Sequence, residues 1–112
     1  MNVFHPRNLP SERATHPMFV GTVYIQRLTE GLSQQIQASV VSFKDGARNT
    51  FHTHDNDQIL VVTEGEGIIA TEGGEWPMSA GDVVFIPAGE SHWHGAQPGH
   101  SMTHVSLFGA AR

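Results

Sequence analysis

The sequence predicts an all-β protein, and three features support that prediction. Short runs rich in Val, Ile, Tyr and Phe recur along the chain, and several alternate between apolar and polar residues. Turn-forming residues separate these runs, with 12 glycines and 6 prolines in 112 residues. No segment carries an apolar stripe at helical spacing over a useful length. Many short strands between frequent turns are typical of a sandwich or a barrel.

The predicted strands follow one another from residue 19 onward. Lys44-Asp45-Gly46 and Gly73-Gly74 are the clearest turn signals between them. The runs with strand composition are Val20–Leu28, Ile36–Phe43, Gln58–Thr63, Ile68–Thr71, Glu75–Met78, Val83–Ile86, Ser91–Gly95 and Met102–Phe108. Residues 1–18 are polar and have no clear period, so we expect an irregular arm that leaves room for a short strand at its end. Residues 19–112 are then one barrel domain, in keeping with the usual size of a single domain.

Composition and charge limit the kinds of partner that the protein is expected to bind. A chain with 38% hydrophobic and 15% charged residues is an ordinary globular protein. The net charge of −5 argues against a nucleic-acid partner, because phosphate binding needs clustered Lys and Arg. No apolar run approaches the length of a membrane span, and the first residues lack the pattern of a secretory signal. With no cysteine there is no disulfide framework, so we expect a cytoplasmic protein without a membrane partner.

The histidines indicate a metal site. His52-Thr53-His54 is an H-x-H on an extended segment, and side chains two residues apart on a strand share a face. Gln58 follows four residues after His54, where a bend of the chain can return it to the same place. His92 and His94 form a second H-x-H. Imidazoles that converge on one face favour a transition-metal ion. A single H-x-H is more often just two surface histidines, and the second pair raises the weight of the metal interpretation.

The spacing around these histidines resembles the cupin family. Gly46, His52, His54, Gln58 and Gly65 fit the first cupin motif, G-x5-H-x-H-x3,4-E-x6-G, with Gln58 in place of Glu. Gly81, Pro87, Gly89 and His92 fit the second, G-x5-P-x-G-x2-H-x3-N, except that Ala96 replaces the final Asn. The resemblance implies a double-stranded β-helix, or jelly-roll, barrel whose interior holds a metal ion on His52, His54, Gln58 and His92.

Gln58 distinguishes this ligand set from the usual cupin set. Three neutral imidazoles and one amide oxygen leave the full +2 charge on the ion, which favours an anionic external ligand. Hard cations such as Mg²⁺ and Ca²⁺ prefer shells made of oxygen. Four protein groups leave one or two coordination positions open, as in catalytic sites.

Two further histidines are candidate general bases. His94 is expected to project into the barrel beside His92, while Trp93 points to the opposite face. His104 lies on the face of the last strand that also carries Met102, Ser106 and Phe108. Each of the two could be a core histidine whose hydrogen bonds are satisfied. Each could also be a general base beside an open metal ion, because neutral imidazole suits proton transfer near pH 7.

Within the cupins, several stretches look like the bacterial cupin hydroxynitrile lyases. These stretches are Gly46-Ala47-Arg48, His52-Thr53-His54, Gly81-Asp82-Val83-Val84, His92-Trp93-His94-Gly95-Ala96 and Met102-Thr103-His104. Those enzymes use manganese in a shell of three His and one Gln, and they make and cleave (R)-mandelonitrile. The resemblance implies manganese as the ion, with Fe, Ni, Zn, Co or Cu as competitors for the same ligands, and it implies His104 as the base.

Three functions fit these observations, and the first is preferred. It is a metal-dependent lyase for a small hydroxy or carbonyl compound, similar to the cyanohydrin lyases. The second is a Mn- or Fe-dependent cupin dioxygenase, whose activity zinc would abolish. The third is a cupin that binds a sugar or another small molecule without catalysis. The resemblance also implies a homodimer or a higher homo-oligomer, for which the arm and Trp93 could supply contacts.

Overall fold

The computed structural model describes residues 1–109, and almost all of their regular structure is β. A short 3₁₀ helix spans Pro6–Asn8. The ten strands are β1 (Glu12–Arg13), β2 (Phe19–Val20), β3 (Val23–Arg27), β4 (Ile36–Phe43), β5 (Arg48–Asn49), β6 (Gln58–Thr71), β7 (Gly74–Ser79), β8 (Val83–Ile86), β9 (His92–Ala96) and β10 (Met102–Gly109).

The strands form one curled antiparallel sheet. The path of paired strands runs β1-β3-β4-β10-β6-β9-β5-β2, and both β7 and β8 pair with β6. β10 is central, because it pairs with β4 along one edge and with β6 along the other. The all-β prediction is confirmed, and no α-helix occurs within residues 1–109.

β6 is one long strand, where the sequence predicted two short ones. Its first half pairs with β8 and β10, and its second half pairs with β7 and β9. Gly65 lies between the halves at φ +82°, and a Cβ atom there would overlap the carbonyl oxygen of Ser101. The pairing with β10 shifts register next to this point, between Thr103 and His104. Gly65 therefore bends the strand without ending it, and the glycines that were interpreted as a loop carry the strand from one half of the barrel to the other.

The first predicted strand is divided in two. Gly21, at φ +89°, separates β2 from β3, and a Cβ atom on it would lie 2.8 Å from the Cβ of Ala47. This close approach lets β2 pair with β5, while β3 pairs with β4.

The arm of residues 1–18 lies partly on the sheet. β1 pairs with β3, and the Gln26 amide nitrogen donates to the carbonyl oxygens of Pro6 (2.7 Å) and Leu9 (2.9 Å). The arm therefore contains a helical turn that was not predicted, and its short strand lies at Glu12–Arg13, before the end of the arm. The division of the chain at residue 18 stays a prediction.

The core fills the inside of the curled sheet. Its completely or almost completely buried large side chains include Val23, Phe43, Leu60, Val62 and Met102. β10 alternates as predicted, because Met102, His104 and Ser106 are buried while the residues between them are partly exposed. Two polar side chains of β10 are thus placed on the apolar inner face, which marks that part of the interior as more than packing.

Candidate metal and catalytic site

Three of the predicted ligands come together at one end of the barrel. His52, His54 and His92 each offer a ring nitrogen, and these atoms all lie within 4.8 Å of one another. The ring centroids are 4.4 to 4.9 Å apart. Reciprocal backbone hydrogen bonds join His52 to His92, at 2.9 and 3.1 Å, and so bring together the two parts of the sequence that carry the H-x-H pairs.

Backbone carbonyl groups orient two of these imidazoles. Nδ1 of His52 donates to the carbonyl oxygen of Thr50 at 2.7 Å, and Nδ1 of His92 donates to that of Glu90 at 2.8 Å. With the proton on Nδ1, Nε2 of each ring carries a lone pair. Such a hydrogen bond from the far nitrogen is the usual arrangement of a metal-ligating histidine.

The remaining predicted ligands have polar atoms that lack a protein partner. Within residues 1–109, the buried atoms without a hydrogen bond are His54 Nδ1, Gln58 Oε1, His92 Nε2 and His104 Nδ1. The amide nitrogen of Gln58 donates to Ser106 Oγ at 2.8 Å, which leaves its oxygen free. Buried polar atoms are normally paired, so these unpartnered atoms call for a ligand.

Burial also keeps these imidazoles neutral. Desolvation lowers the pKa of His52, His54 and His92, and the neighbouring imidazoles lower it further. Neutral rings have the lone pairs that a metal ion needs. The donor set of three imidazoles and one amide oxygen therefore fits a divalent transition-metal ion.

His94 and His104 form a buried pair beside this group. Nε2 of His104 lies 3.3 Å from Nδ1 of His94, and both residues are at least 96% buried. Phe43 packs against both rings, with centroids 5.7 and 5.5 Å away. Burial lowers the pKa of His104 to about 4, and it lowers that of His94 well below its ordinary value. Both rings are neutral at pH 7, as a proton-exchanging pair requires.

Asn49 completes a chain of hydrogen bonds behind this pair. Its Oδ1 accepts the backbone N–H of His94 at 2.8 Å, and its Nδ2 lies 3.4 Å from Nε2 of His94. β5 reaches His94 because Arg48 pairs with Gly95, where a Cβ atom would overlap the Cβ of Arg48. Only glycine permits that approach.

One cavity connects these groups with the outside. It has a volume of about 500 Å³, and four of its lining residues are His52, His54, His94 and His104. Its apolar wall is formed by Phe19, Ile25, Val41, Phe43 and Phe108. The Phe108 ring stacks on His54, with a centroid distance of 5.8 Å and an angle of 15° between the planes. The cavity can therefore hold a ring or another flat apolar group next to the imidazoles.

Sequence reasoning did not predict two contacts that the structure places in the site. Ser106 orients Gln58, and the alternation of β10 was a signal for it, since Ser106 shares a face with His104. Asn49 contacts His94 from a strand of only two residues, which is too short to show a period.

Trp93 and three further histidines lie outside this site. Trp93 is 93% buried beneath Arg48, whose Cζ is 4.6 Å from the ring centroid, so it is a packing residue and is not exposed for contact with another subunit. His5, His16 and His100 are exposed and lie outside the site. No helix among residues 1–109 is long and apolar enough to cross a membrane.

Known proteins resemble the chain in sequence and in structure. Residues 39–106 match the family described as "Cupin domain". An (R)-mandelonitrile lyase from Granulicella tundricola is 43% identical over 91 residues, which are 80% of this chain and 70% of that protein. A cupin-like protein from Thermotoga maritima has a TM-score of 0.82 at 32% identity, covering 96% of this chain and 80% of that one. The polyketide cyclase RemF from Streptomyces resistomycificus has a TM-score of 0.88 at 19% identity, covering 100% and 81%, and shows the fold alone. The chain belongs to the cupin family.

Proposed function

We propose that the protein is a metal-dependent lyase for a small hydroxy or carbonyl compound, with an aromatic cyanohydrin as the substrate class. One observation carries the proposal: a single cavity brings together a group of unpartnered ligand atoms, a buried pair of neutral imidazoles and an apolar wall. The (R)-mandelonitrile lyase activity of the 43% identical relative supports the choice of substrate.

His52, His54, His92 and Gln58 are the residues that would hold one divalent ion, for which we propose manganese. When bound, the ion would supply a Lewis acid toward the substrate oxygen. All four residues are uncharged, so none of them offsets the positive charge of the ion. That choice of residues favours substrates whose oxygen becomes negative during the reaction.

His104 is the residue that we propose to exchange a proton with the substrate. Its Nδ1 has no partner within residues 1–109, while its Nε2 is held by His94. In cleavage, the hydroxyl proton passes to His104, the oxygen electron pair forms the C=O bond, and the bond to the nitrile carbon breaks. Cyanide leaves with that electron pair. In the reverse direction, cyanide adds to the carbonyl carbon and the new alkoxide receives the proton.

The apolar wall is the part of the cavity that we propose to bind the organic group. Phe19, Phe43 and Phe108 offer aromatic faces close to His54 and His94. An aryl ring packed there would lie beside the imidazoles, because Phe43 packs against His94 and Phe108 stacks on His54.

A cleavage assay tests the proposal. Protein loaded with Mn, Fe or Zn, and protein treated with chelator, are compared for release of benzaldehyde from (R)-mandelonitrile. We expect turnover with metal and a loss of about 100-fold or more in His104→Asn, the size expected for an acid–base group. His100→Asn, at an exposed histidine, is the matched control. Turnover confined to Mn or Fe with consumption of O₂ would instead identify a dioxygenase.

We also propose that the chain forms a homodimer or a larger homo-oligomer. Ile59 and Phe85, a directly opposed pair on β6 and β8, are 39% and 60% exposed, and Val83 is 65% exposed. Exposed apolar side chains grouped on one sheet face are typical of protein contact surfaces. Light scattering on the purified protein measures the oligomeric state. The cytoplasmic location stays a prediction from composition.

A further inference from the structure

We infer that Asn49 fixes the positions of the protons on the His94–His104 pair, so that His104 presents an N–H group to the ligand rather than a lone pair. Asn49 is a positioning residue, since it acts on the cavity only through His94. The functional part of this inference rests on the proposed lyase activity, while the proton positions themselves do not.

The backbone N–H of His94 determines the orientation of the Asn49 amide. The backbone N–H of His94 can only donate, so the Asn49 atom 2.8 Å from it must be the oxygen Oδ1. The amide nitrogen Nδ2 then faces His94 Nε2 at 3.4 Å. An amide nitrogen has hydrogens and no lone pair to share. Asn49 is 98% buried, so no rotation into solvent relieves this arrangement.

The orientation of the Asn49 amide determines which ring nitrogen of His94 carries the proton. Because Asn49 Nδ2 donates, Nε2 of His94 must accept, and the single proton of the neutral ring is therefore on Nδ1. Nδ1 lies 3.3 Å from Nε2 of His104. His94 thus donates to His104, and Nε2 of His104 is the acceptor.

The hydrogen bond from His94 determines which ring nitrogen of His104 carries the proton. Its Nε2 accepts a proton from His94, so the proton of its neutral ring is on Nδ1. That nitrogen is buried and has no partner within residues 1–109. Among residues 1–109, Glu30 is the one acidic side chain that lines the cavity, and it is exposed. The Nδ1–H is consequently a donor in need of an acceptor, such as a carbonyl or alkoxide oxygen.

The reverse arrangement leaves two donors facing each other. If His104 presented a lone pair at Nδ1, its proton would be on Nε2 and would be donated to His94 Nδ1. The proton of His94 would then be on Nε2, opposite the amide hydrogens of Asn49. Leaving a buried donor unsatisfied in this way reduces the population of that form by about tenfold or more. The chain therefore favours holding a carbonyl oxygen over removing a hydroxyl proton, and cleavage proceeds through the minor form, in which Nδ1 of His104 has the lone pair.

Nitrogen NMR of histidine side chains tests the inference without any turnover. Protonated and unprotonated ring nitrogens have clearly separated ¹⁵N shifts, so the proton positions can be recorded at pH 8 in metal-free and in diamagnetic zinc-loaded protein. We expect His94 and His104 each to carry one proton, on Nδ1. Asn49→Asp should move the protons of both rings to Nε2, because the carboxylate accepts from His94. In the cleavage assay this variant should then exceed wild type by about tenfold.

Two further variants, one at Asn49 and one at a control position, are compared with wild type. Asn49→Ala removes the constraint without adding a charge, and it should replace the single form by a mixture of both. Asn56→Asp is the matched control, because Asn56 also donates from its amide, to the carbonyl oxygen of Gly109. Wild-type protein with the His94 proton on Nε2, or proton positions unaltered in both Asn49 variants, overturns the inference. Absence of turnover with the expected ¹⁵N shifts would count against the lyase proposal alone.

Discussion

Gln58 determines the charge of the proposed metal site. A carboxylate in this position would cancel part of the charge of the ion, and the amide does not. The direction of the amide depends on one hydrogen bond, from Nε2 to Ser106 Oγ at 2.8 Å, which leaves Oε1 unpartnered. Ser106 therefore keeps the amide oxygen available at the site, although Ser106 lies on β10, which carries none of the four proposed ligands.

Replacing Ser106 is expected to weaken metal binding. In Ser106→Ala the Gln58 amide loses its anchor, and affinity for Mn²⁺ should fall by about tenfold, the usual effect of losing such a supporting hydrogen bond. Titration calorimetry measures it. Ser39→Ala is the control, since Ser39 lies opposite Ser106 on β4 and lines the same cavity. Equal affinities for Ser106→Ala and wild type would show that the hydrogen bond does not orient Gln58.

Residue types and spacing predicted most of the residues that meet in the site. The H-x-H pairs lie on extended backbone, where alternation places both rings on one side, and the alternation of β10 predicted that His104 faces inward. The hydrogen bond between Asn49 and His94 was not predictable, since it depends on how closely β5 approaches β9. Such a distance is set by packing across the barrel and leaves no mark on the local sequence.

The histidine pair depends on the pairing of β5 with β9. Arg48 pairs with Gly95, and the carbonyl of Ala47 accepts from the N–H of Ala96 at 2.9 Å. At Gly95 an added Cβ would meet the side chain and backbone of Arg48. The neighbouring residues of this contact are Asn49 and His94, so the glycine indirectly fixes the distance between them.

Gly95→Ala is expected to destabilise the protein by about 1–3 kcal/mol, as overpacking commonly does. The strands must separate to admit the methyl group, so the contact between Asn49 and His94 should lengthen as well. Urea denaturation measures the free energy of unfolding. Gly73→Ala is the control, because a Cβ there meets only Thr71 Oγ1, at 3.5 Å. Similar stabilities for the two variants would mean that the strands have room to spare.

The strand pattern was predictable where composition alternates and unpredictable where glycine acts over a distance. β4 and β8 have the predicted bounds, because each is an apolar run between turn residues. β6 was predicted as two runs, since Gly65 and Gly67 suggest a loop. They are instead the points where β6 passes close to the chain at Ser101 and Gly95, which no local pattern records.

The whole molecule holds five histidines, three buried and two partly buried, whose pKa values are all lowered. Such groups hold fewer protons in the folded chain than in the unfolded chain at mildly acidic pH. Stability is therefore complete above the unfolded pKa near 6.5, and it is lost as the pH falls toward the folded values. The number of buried imidazoles makes this a property of the barrel rather than of one side chain.

Metal-free protein should lose stability between pH 6.5 and pH 4. For His104, whose pKa is lowered to about 4, the loss is about 3 kcal/mol over that interval. Urea midpoints across the pH range measure the loss. His104→Asn should show a shallower dependence, whereas His100→Asn, at an exposed position, should follow wild type. An unchanged slope in His104→Asn would mean that His104 is not the buried neutral group described above.

We propose that His52, His54, His92 and Gln58 hold one cation inside the barrel. Anomalous X-ray scattering from crystals grown with Mn²⁺ measures the position of that cation. We predict one strong peak, at about 2 Å from a nitrogen of each of the three imidazoles and from the oxygen of Gln58. The claim is contradicted if no peak occurs at this place, or if the bound ion has Gln58 or His92 outside its coordination shell.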